Sequence, residues 1–359
     1  MATLITSDTR SSKIYTPAYA GASRSIAAGI AAAAAVLFGA AGLAEAACSN
    51  GLPLQSTAVP VLPGRAVYQG SDASGNTQLY TFDFSNNTQT QISVAYWNVT
   101  APINAQFSPD GQRIVFTAVS NNRRDVYLWK IGASAPANLT VAMTGATKSE
   151  DPKWSADGKK IVFKQDGNIK LMAIVFDASG NPSVQSTTSI TTNGANGTST
   201  EAWAPFLSPD NKYVYFTRNI GAASTVHVVA LATGVDTLFS ANANYAYYPV
   251  VRDFTTILYA GWTPATGRND QILLQAPSLN GAVVQQPALN DCGADNSDAA
   301  AVDSDYIFYS SDSASISPAH VYRPLLGSLA NAQVWDLGRL GLGSGITGQI
   351  LGMNYTAAR

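Results

Sequence analysis

Charge is scarce in this 359-residue chain: 12% of residues are charged and the formal net charge is −2. No Lys/Arg run is longer than Arg123-Arg124, so no basic face points to nucleic acid. Histidine and cysteine are almost missing, with His227, His320, Cys48 and Cys292 as the whole supply. A zinc site needs three or four converging ligands, so no metal is expected. The strained G-x-S-x-G turn that presents a nucleophilic serine is missing too, and both histidines read as structural or surface residues. Nothing calls for a cofactor. What is abundant is apolar residue: 46% of the chain is hydrophobic. That is too much for a disordered chain, and it is too evenly spread for a protein that crosses a membrane many times.

The first 46 residues differ from the rest. Arg10, Lys13 and Arg24 give a positive start, residues 26–43 are an uncharged Ala/Gly-rich run, and Ala44-Glu45-Ala46 suits signal peptidase. Residues 1–46 are expected to be a cleaved secretory signal and residues 47–359 the mature protein, periplasmic or secreted. After cleavage no membrane span remains. A retained anchor is the alternative, because the run is nearly long enough to span. Lipidation at Cys48 is disfavoured, since Glu45 stands where a lipobox wants leucine.

A repeat dominates the mature part. Three segments share one pattern: Phe107-Ser108-Pro109-Asp110-Gly111, Trp154-Ser155-Ala156-Asp157-Gly158 and Leu207-Ser208-Pro209-Asp210-Asn211. Two residues later come the triplets Ile114-Val115-Phe116, Ile161-Val162-Phe163 and Val214-Tyr215-Phe216. Proline presets a turn, aspartate bonds its own backbone, and Gly or Asn accepts the left-handed conformation that closes a short hairpin. The triplets have the β-branched and aromatic content of buried strands. Weaker copies start near Val59, Val251 and Val302. The anchors 59, 107, 154, 207, 251 and 302 lie 44–53 residues apart, the length of a four-stranded propeller blade. Third strands follow, as at Val126-Tyr127-Leu128-Trp129 and Val226-His227-Val228-Val229. The expected fold is all-β: one six-bladed β-propeller of four-stranded antiparallel blades over residues 47–359. The tail around Gln349 to Tyr355 is expected to be a strand that helps close the ring, because an open ring leaves two unpaired edges. Ring closure brings Cys48 near Cys292, which makes the two a candidate disulfide in an exported protein.

The Ser-Pro-Asp-Gly hairpin with its Ile-Val-Phe strand resembles the WD40-like repeat of the TolB family. The resemblance covers roughly residues 56 to 338. It implies a propeller in the cell envelope that contacts protein partners, a peptidoglycan-associated lipoprotein in the TolB case. The α/β domain that precedes the TolB propeller has no counterpart here, so the chain reads as a propeller-only relative. Prolyl oligopeptidases carry a propeller beside a hydrolase domain for which no residues remain. Oligogalacturonate lyases resemble this repeat class, but hold their metal mainly by histidines, of which this chain has two.

The residues just before the first strand of each blade face the channel mouth in such repeats. Here they include Asn104, Glu150, Asp151, Glu201, Trp203, Tyr247, Tyr248 and Asp298. Gathered on one axis, they form an acidic and aromatic mouth for a protein or peptide segment, an envelope component or a glycan. Paired carboxylates there also allow glycosidase-type acid–base work. Solvated loop acids and packed aromatics are the plainer alternative. The acidic stretch Asp291, Asp295, Asp298, Asp303, Asp305 lacks the spacing of a calcium loop. The function expected is a monomeric, non-enzymatic binding or scaffold protein of the bacterial envelope, with a carbohydrate-active lyase or hydrolase as the alternative.

Overall fold

Successive side chains of a strand point to opposite faces. A triplet that is apolar throughout must therefore be buried on both sides, which asks for sheets stacked face to face. The computed structural model describes residues 54–358, except 144, 221–222, 241–244, 263–268, 278–282, 286–292, 314–322 and 330–332, with backbone alone at 220, 283–285 and 323. The signal segment, Cys48, Cys292, Asp291 and His320 lie outside the described residues.

Six four-stranded antiparallel sheets make the blades of a propeller. The chain starts with β1 (Arg65–Ser71), β2 (Thr77–Asp83) and β3 (Thr88–Gln91). Blade 2 is β4 (Thr100–Phe107), β5 (Arg113–Ser120), β6 (Arg123–Lys130) and β7 (Ala137–Asn138). Blade 3 is β8 (Ser149–Trp154), β9 (Lys160–Gln165), β10 (Asn168–Phe176) and β11 (Pro182–Ser189). Blade 4 is β12 (Ala202–Leu207), β13 (Tyr213–Ile220), β14 (Ala223–Ala230) and β15 (Val235–Leu238). Blade 5 is β16 (Tyr245–Val251), β17 (Ile257–Trp262), β18 (Gln271–Gln275) and β19 (Val283–Gln285). Blade 6 is β20 (Asn296–Ala301), β21 (Tyr306–Ser311), β22 (Arg323–Ser328) and β23 (Val334–Asp336). The last strand, β24 (Thr347–Thr356), pairs with β1 and supplies the innermost strand of blade 1.

The triplets do what alternation requires. The outer members Ile114 and Phe116 pack with Val67 and Leu79 of blade 1, while the middle member Val115 packs with Ile161 and Phe163 of blade 3. The same split holds around the ring: Val162 faces blade 4, Tyr215 faces blade 5, Leu258 faces blade 6 and Phe308 faces blade 1. The core is thus six clusters, one in each gap between blades. Burying each such side chain stabilises by about 1.5–3 kcal/mol.

The repeated hairpins have identical wiring. Asp110 Oδ1 accepts from Gln112 N–H (3.0 Å), Asp157 Oδ1 from Lys159 N–H (3.0 Å) and Asp210 Oδ1 from Lys212 N–H (3.1 Å). The preceding serine hydroxyl accepts from the first strand residue, at 2.9 Å in all three. Gly111, Gly158 and Asn211 take the left-handed conformation at φ 66°, 68° and 58°.

Blade 1 is where the chain departs from its repeat. The segment at Val59 aligns with the others in letters, yet residues 57–64 form no strand. The inner place is taken by β24, and the hairpin is split between Thr356 and Gly64. Gly64 has φ 86°, and a Cβ there would stand 2.1 Å from the Thr356 carbonyl oxygen, so the two ends close only on a glycine. The N-terminal residues seal the other side of the seam. Gln55 N–H donates to Val334 O (2.8 Å), and Arg339 donates to the carbonyls of Gln55 (2.7 Å), Ser56 (3.1 Å) and Thr57 (2.9 Å).

Candidate functional site in the propeller channel

Each innermost strand breaks its ladder, β4 and β24 at two places and the others at one. Register shifts separate Ile103 from Gln106, Glu150 from Lys153, Trp203 from Phe206, Tyr247 from Val250 and Ser297 from Ala300. Inside each break stands a residue at positive φ: Asn104 (54°), Asp151 (55°), Ala204 (46°), Tyr248 (52°) and Asp298 (54°), with Gly352 (61°) completing the ring from β24. Non-glycine residues rarely adopt this conformation, and bulges re-aim side chains. All six line one chamber of about 100 Å3 on the channel.

The bulges are latched to the blade before them. Gln69 Oε1 accepts Asn104 N–H (2.7 Å), Thr117 Oγ1 accepts Asp151 N–H (3.0 Å) and Thr217 Oγ1 accepts Tyr248 N–H (3.0 Å). Lys164, at the same strand position in blade 3, reaches Glu201 of blade 4 at 2.5 Å. In blade 5 that position is Ala260, which has no side-chain acceptor to offer Asp298.

The eight mouth residues expected from sequence separate into three groups. Asn104, Asp151, Tyr248 and Asp298 share the chamber wall. Asn104 Nδ2 donates to Asp151 Oδ1. Glu150 and Glu201 instead join a buried ion network: Lys164 Nζ sits 3.0 Å from Glu150 Oε2, and Arg124 pairs with the other Glu150 oxygen. Trp203 and Tyr247 stack into an aromatic group, with Trp203 edge-on to Tyr248 at 4.8 Å between centroids. Tyr247 hydroxyl donates to Asp270.

Lys153, Gln106 and Asn354 were not singled out from sequence. They stand one residue before the hairpin's large apolar anchor, as their partners stand three before it, so the repeat frame could have found them. Gln106 Oε1 accepts Trp154 N–H (2.6 Å) and Asn354 Oδ1 accepts Phe107 N–H (3.0 Å), two further stitches between inner strands. Lys153 shares the chamber, within electrostatic reach of both Asp151 and Asp298.

Burial sets the electrostatics. It pushes Asp298 up to about 6, against the pull of Lys153. It raises Asp151 as well, helped by the neighbouring Glu150. It lowers Lys153, opposed by the two aspartates, and holds the Tyr248 phenol well above its ordinary value. Glu150 behaves oppositely: burial pushes it up, but Lys164 and Arg124 outweigh this and hold it below the usual carboxylate range. Asp270 is pushed up to about 7 by burial, only partly relieved by Tyr247, with Asp295, Asp298 and Asp312 adding repulsion.

Other candidates lie elsewhere. His227 Nδ1 meets Asp236 at 2.7 Å in the outer half of blade 4, beside Arg218. Asp303 caps a hairpin, accepting from Asp305 N–H (2.7 Å) and Tyr306 N–H (2.9 Å). Among the described residues no group of three or more His, Cys, Asp or Glu is placed to hold a metal ion, and no helix is long and apolar enough to cross a membrane. Beyond the chamber, toward the Ser-Pro-Asp-Gly hairpins, the channel opens into a recess of about 410 Å3. Its walls include Phe107, Pro109, Trp154, Leu207, Pro209 and Tyr355, and Gln106, Phe206 and Asn354 belong to both spaces.

No family model and no curated protein matches the chain. Solved structures do. TolB from Acinetobacter baumannii superposes with a TM-score of 0.61 at 14% identity, over 83% of this chain and 67% of that one. A candidate TolB from Agrobacterium tumefaciens gives 0.51 at 16% identity, over 77% of this chain and 88% of that one. Hydrazine synthase of Kuenenia stuttgartiensis gives 0.57 at 10% identity, over 84% of this chain and 48% of that one. An enzyme and a TolB on one architecture show that the likeness carries the fold and not the job. In its fold, this chain is a six-bladed β-propeller of the TolB-like kind.

Proposed function

We propose that the protein is an exported, non-enzymatic binding or scaffold protein of the bacterial cell envelope, with a protein segment or envelope component held at the channel mouth. The observation that carries this reading is the recess of about 410 Å3 at the hairpin end, walled by large apolar side chains and prolines and opening into a polar chamber. A preformed concave site with few polar groups suits binding. The leader over residues 1–46 supports export to the periplasm or beyond.

The test is affinity purification of the tagged protein from its own envelope fraction, with mass spectrometry of what co-purifies. A reproducible partner lost in Trp154→Ala or Pro209→Glu, with the fold kept by circular dichroism, is the expected result. Capture that is indifferent to both changes, or a preparation without partners, sinks the reading.

A further inference from the structure

One wall atom of the chamber is buried without a protein partner, and an ammonium stands near it. Asp298 Oδ2 is fully buried and makes no hydrogen bond among the described residues. Lys153 Nζ, an ammonium with three protons to donate, lies close enough to feel Asp151 and Asp298 yet hydrogen-bonds to neither. Leaving a buried polar atom unpaired costs about 1–3 kcal/mol, more for a charge. The neighbouring bulges show that the fold has the means to avoid this: Asn104 closes on Asp151, and side chains of the preceding blade latch the amides. At Asp298 no such side chain reaches the free carboxylate oxygen among the described residues.

The unfilled set is one ammonium and one carboxylate oxygen in the same chamber. An anion satisfies Lys153 and leaves Asp298 bare. A simple cation satisfies Asp298 and repels Lys153. A molecule with both signs a bond or two apart satisfies both. Size narrows it further: a cavity of about 150 Å3 holds the six heavy atoms of benzene, so about 100 Å3 holds four or five.

We propose that the channel chamber binds a small zwitterion of the α-amino-acid class, the size of glycine. Its carboxylate takes the Lys153 ammonium, and its ammonium takes the free Asp298 oxygen, with Asp151 behind it. The guest sits deeper than the recess where a protein segment docks. The chamber therefore stands or falls independently of the envelope-partner reading.

Isothermal titration calorimetry on the purified protein decides it, with glycine, acetate and methylamine as separate titrants. Glycine is expected to bind saturably, and acetate and methylamine at least about 10-fold more weakly. Lys153→Met and Asp298→Asn are each expected to weaken glycine by about 10-fold or more. Asp298→Asn removes a bare buried charge, so its melting temperature is expected to hold or rise, which separates lost binding from lost fold; Lys153→Met takes a cation from two buried aspartates and is expected to melt lower. No saturable heat up to about 10 mM glycine overturns the proposal. Equal binding of methylamine, or of acetate, overturns it as well, leaving a plain cation or anion site. A failure here with partner capture intact condemns the chamber alone. The reverse result condemns the partner.

Discussion

The two flanks of the channel treat the same inner-strand positions in opposite ways. On the flank of blades 2 to 4, Glu150 is gripped by Lys164 and Arg124, Glu201 shares Lys164, and Asp151 closes on Asn104. On the flank of blades 5 and 6, Asp270, Asp295, Asp298 and Asp312 crowd together with Tyr247, and among the described residues the cation facing them is Lys153, near Asp298. The first flank also carries the three best copies of the repeat, the second the degenerate ones. Buried ion pairs are weak evidence for net stability, but breaking one is costly. The first flank is therefore a staple, whereas the second is a place where acids are held against their preference.

The sharpest way to break this contrast is Lys164→Met. Its side chain and that of Glu150 are each 9% exposed, and removing the ammonium leaves Glu150 to Arg124 alone and takes the cation from Glu201. A loss of about 3–5 kcal/mol in urea unfolding is expected. A loss below about 1 kcal/mol means the flank is not held by charge. Adding Glu150→Gln to that variant is expected to restore part of the loss.

The second flank is tested by pH. Asp270 and Asp298 are raised from an ordinary value of 3.8 to about 7 and about 6. A carboxyl raised in the folded state binds its proton more tightly there than in the unfolded chain. Its stabilising effect is full below the unfolded value and lost as pH climbs through the folded one. Stability is expected to fall between about pH 4 and pH 7 by on the order of 6 kcal/mol, with melting temperature falling in step, and the fall is expected to flatten in Asp270→Asn combined with Asp298→Asn. Glu150, lowered in the folded state, runs the other way: its contribution is present above the unfolded value and lost only at more acid pH. A profile unchanged by the double variant means those acids are better solvated than their burial implies.

The smallest effect compares the hairpins. Asp157→Ala in blade 3 removes the turn bonds to Ser155 and Lys159, and Asp253→Ala in blade 5 removes those to Thr255. Each is expected to cost about 1 kcal/mol by thermal melts. Equal costs show that the repeat has decayed in letters and not in energy; a much cheaper Asp253 change shows that the decay is real.

The hairpins were legible because their physics is local. Ser108, Asp110 and Gly111 bond within five residues of each other, so letters and structure coincide. The inner-strand ring was half legible. Asn104, Asp151, Tyr248 and Asp298 were in view as mouth residues, yet what unites them is a position three before the anchor. In blade 6 the anchor by pairing is Ala301, not Val302, and that one-residue slip hid Asp298's kinship with Asp151. Glu150 and Asp151 looked alike as neighbours in sequence, but the bulge between Glu150 and Lys153 sends them to different surroundings. Lys153 was passed over because a lysine on a strand is ordinarily a solvated surface residue.

By itself the amino-acid sequence determined the blade length, the both-faces-buried triplets and the turn chemistry, because each depends on residues close along the chain. The closing strand at Gln349 to Tyr355 was legible, but tertiary structure alone decided where it goes, with β24 taking the innermost place in a blade that begins at Arg65, because that pairing joins residues almost the whole chain apart. It alone decided which acids are paired and which are left bare as well. That depends on which side chains six separate strands present to one axis, and charge in a shared low-dielectric space is a property of the assembly rather than of any segment.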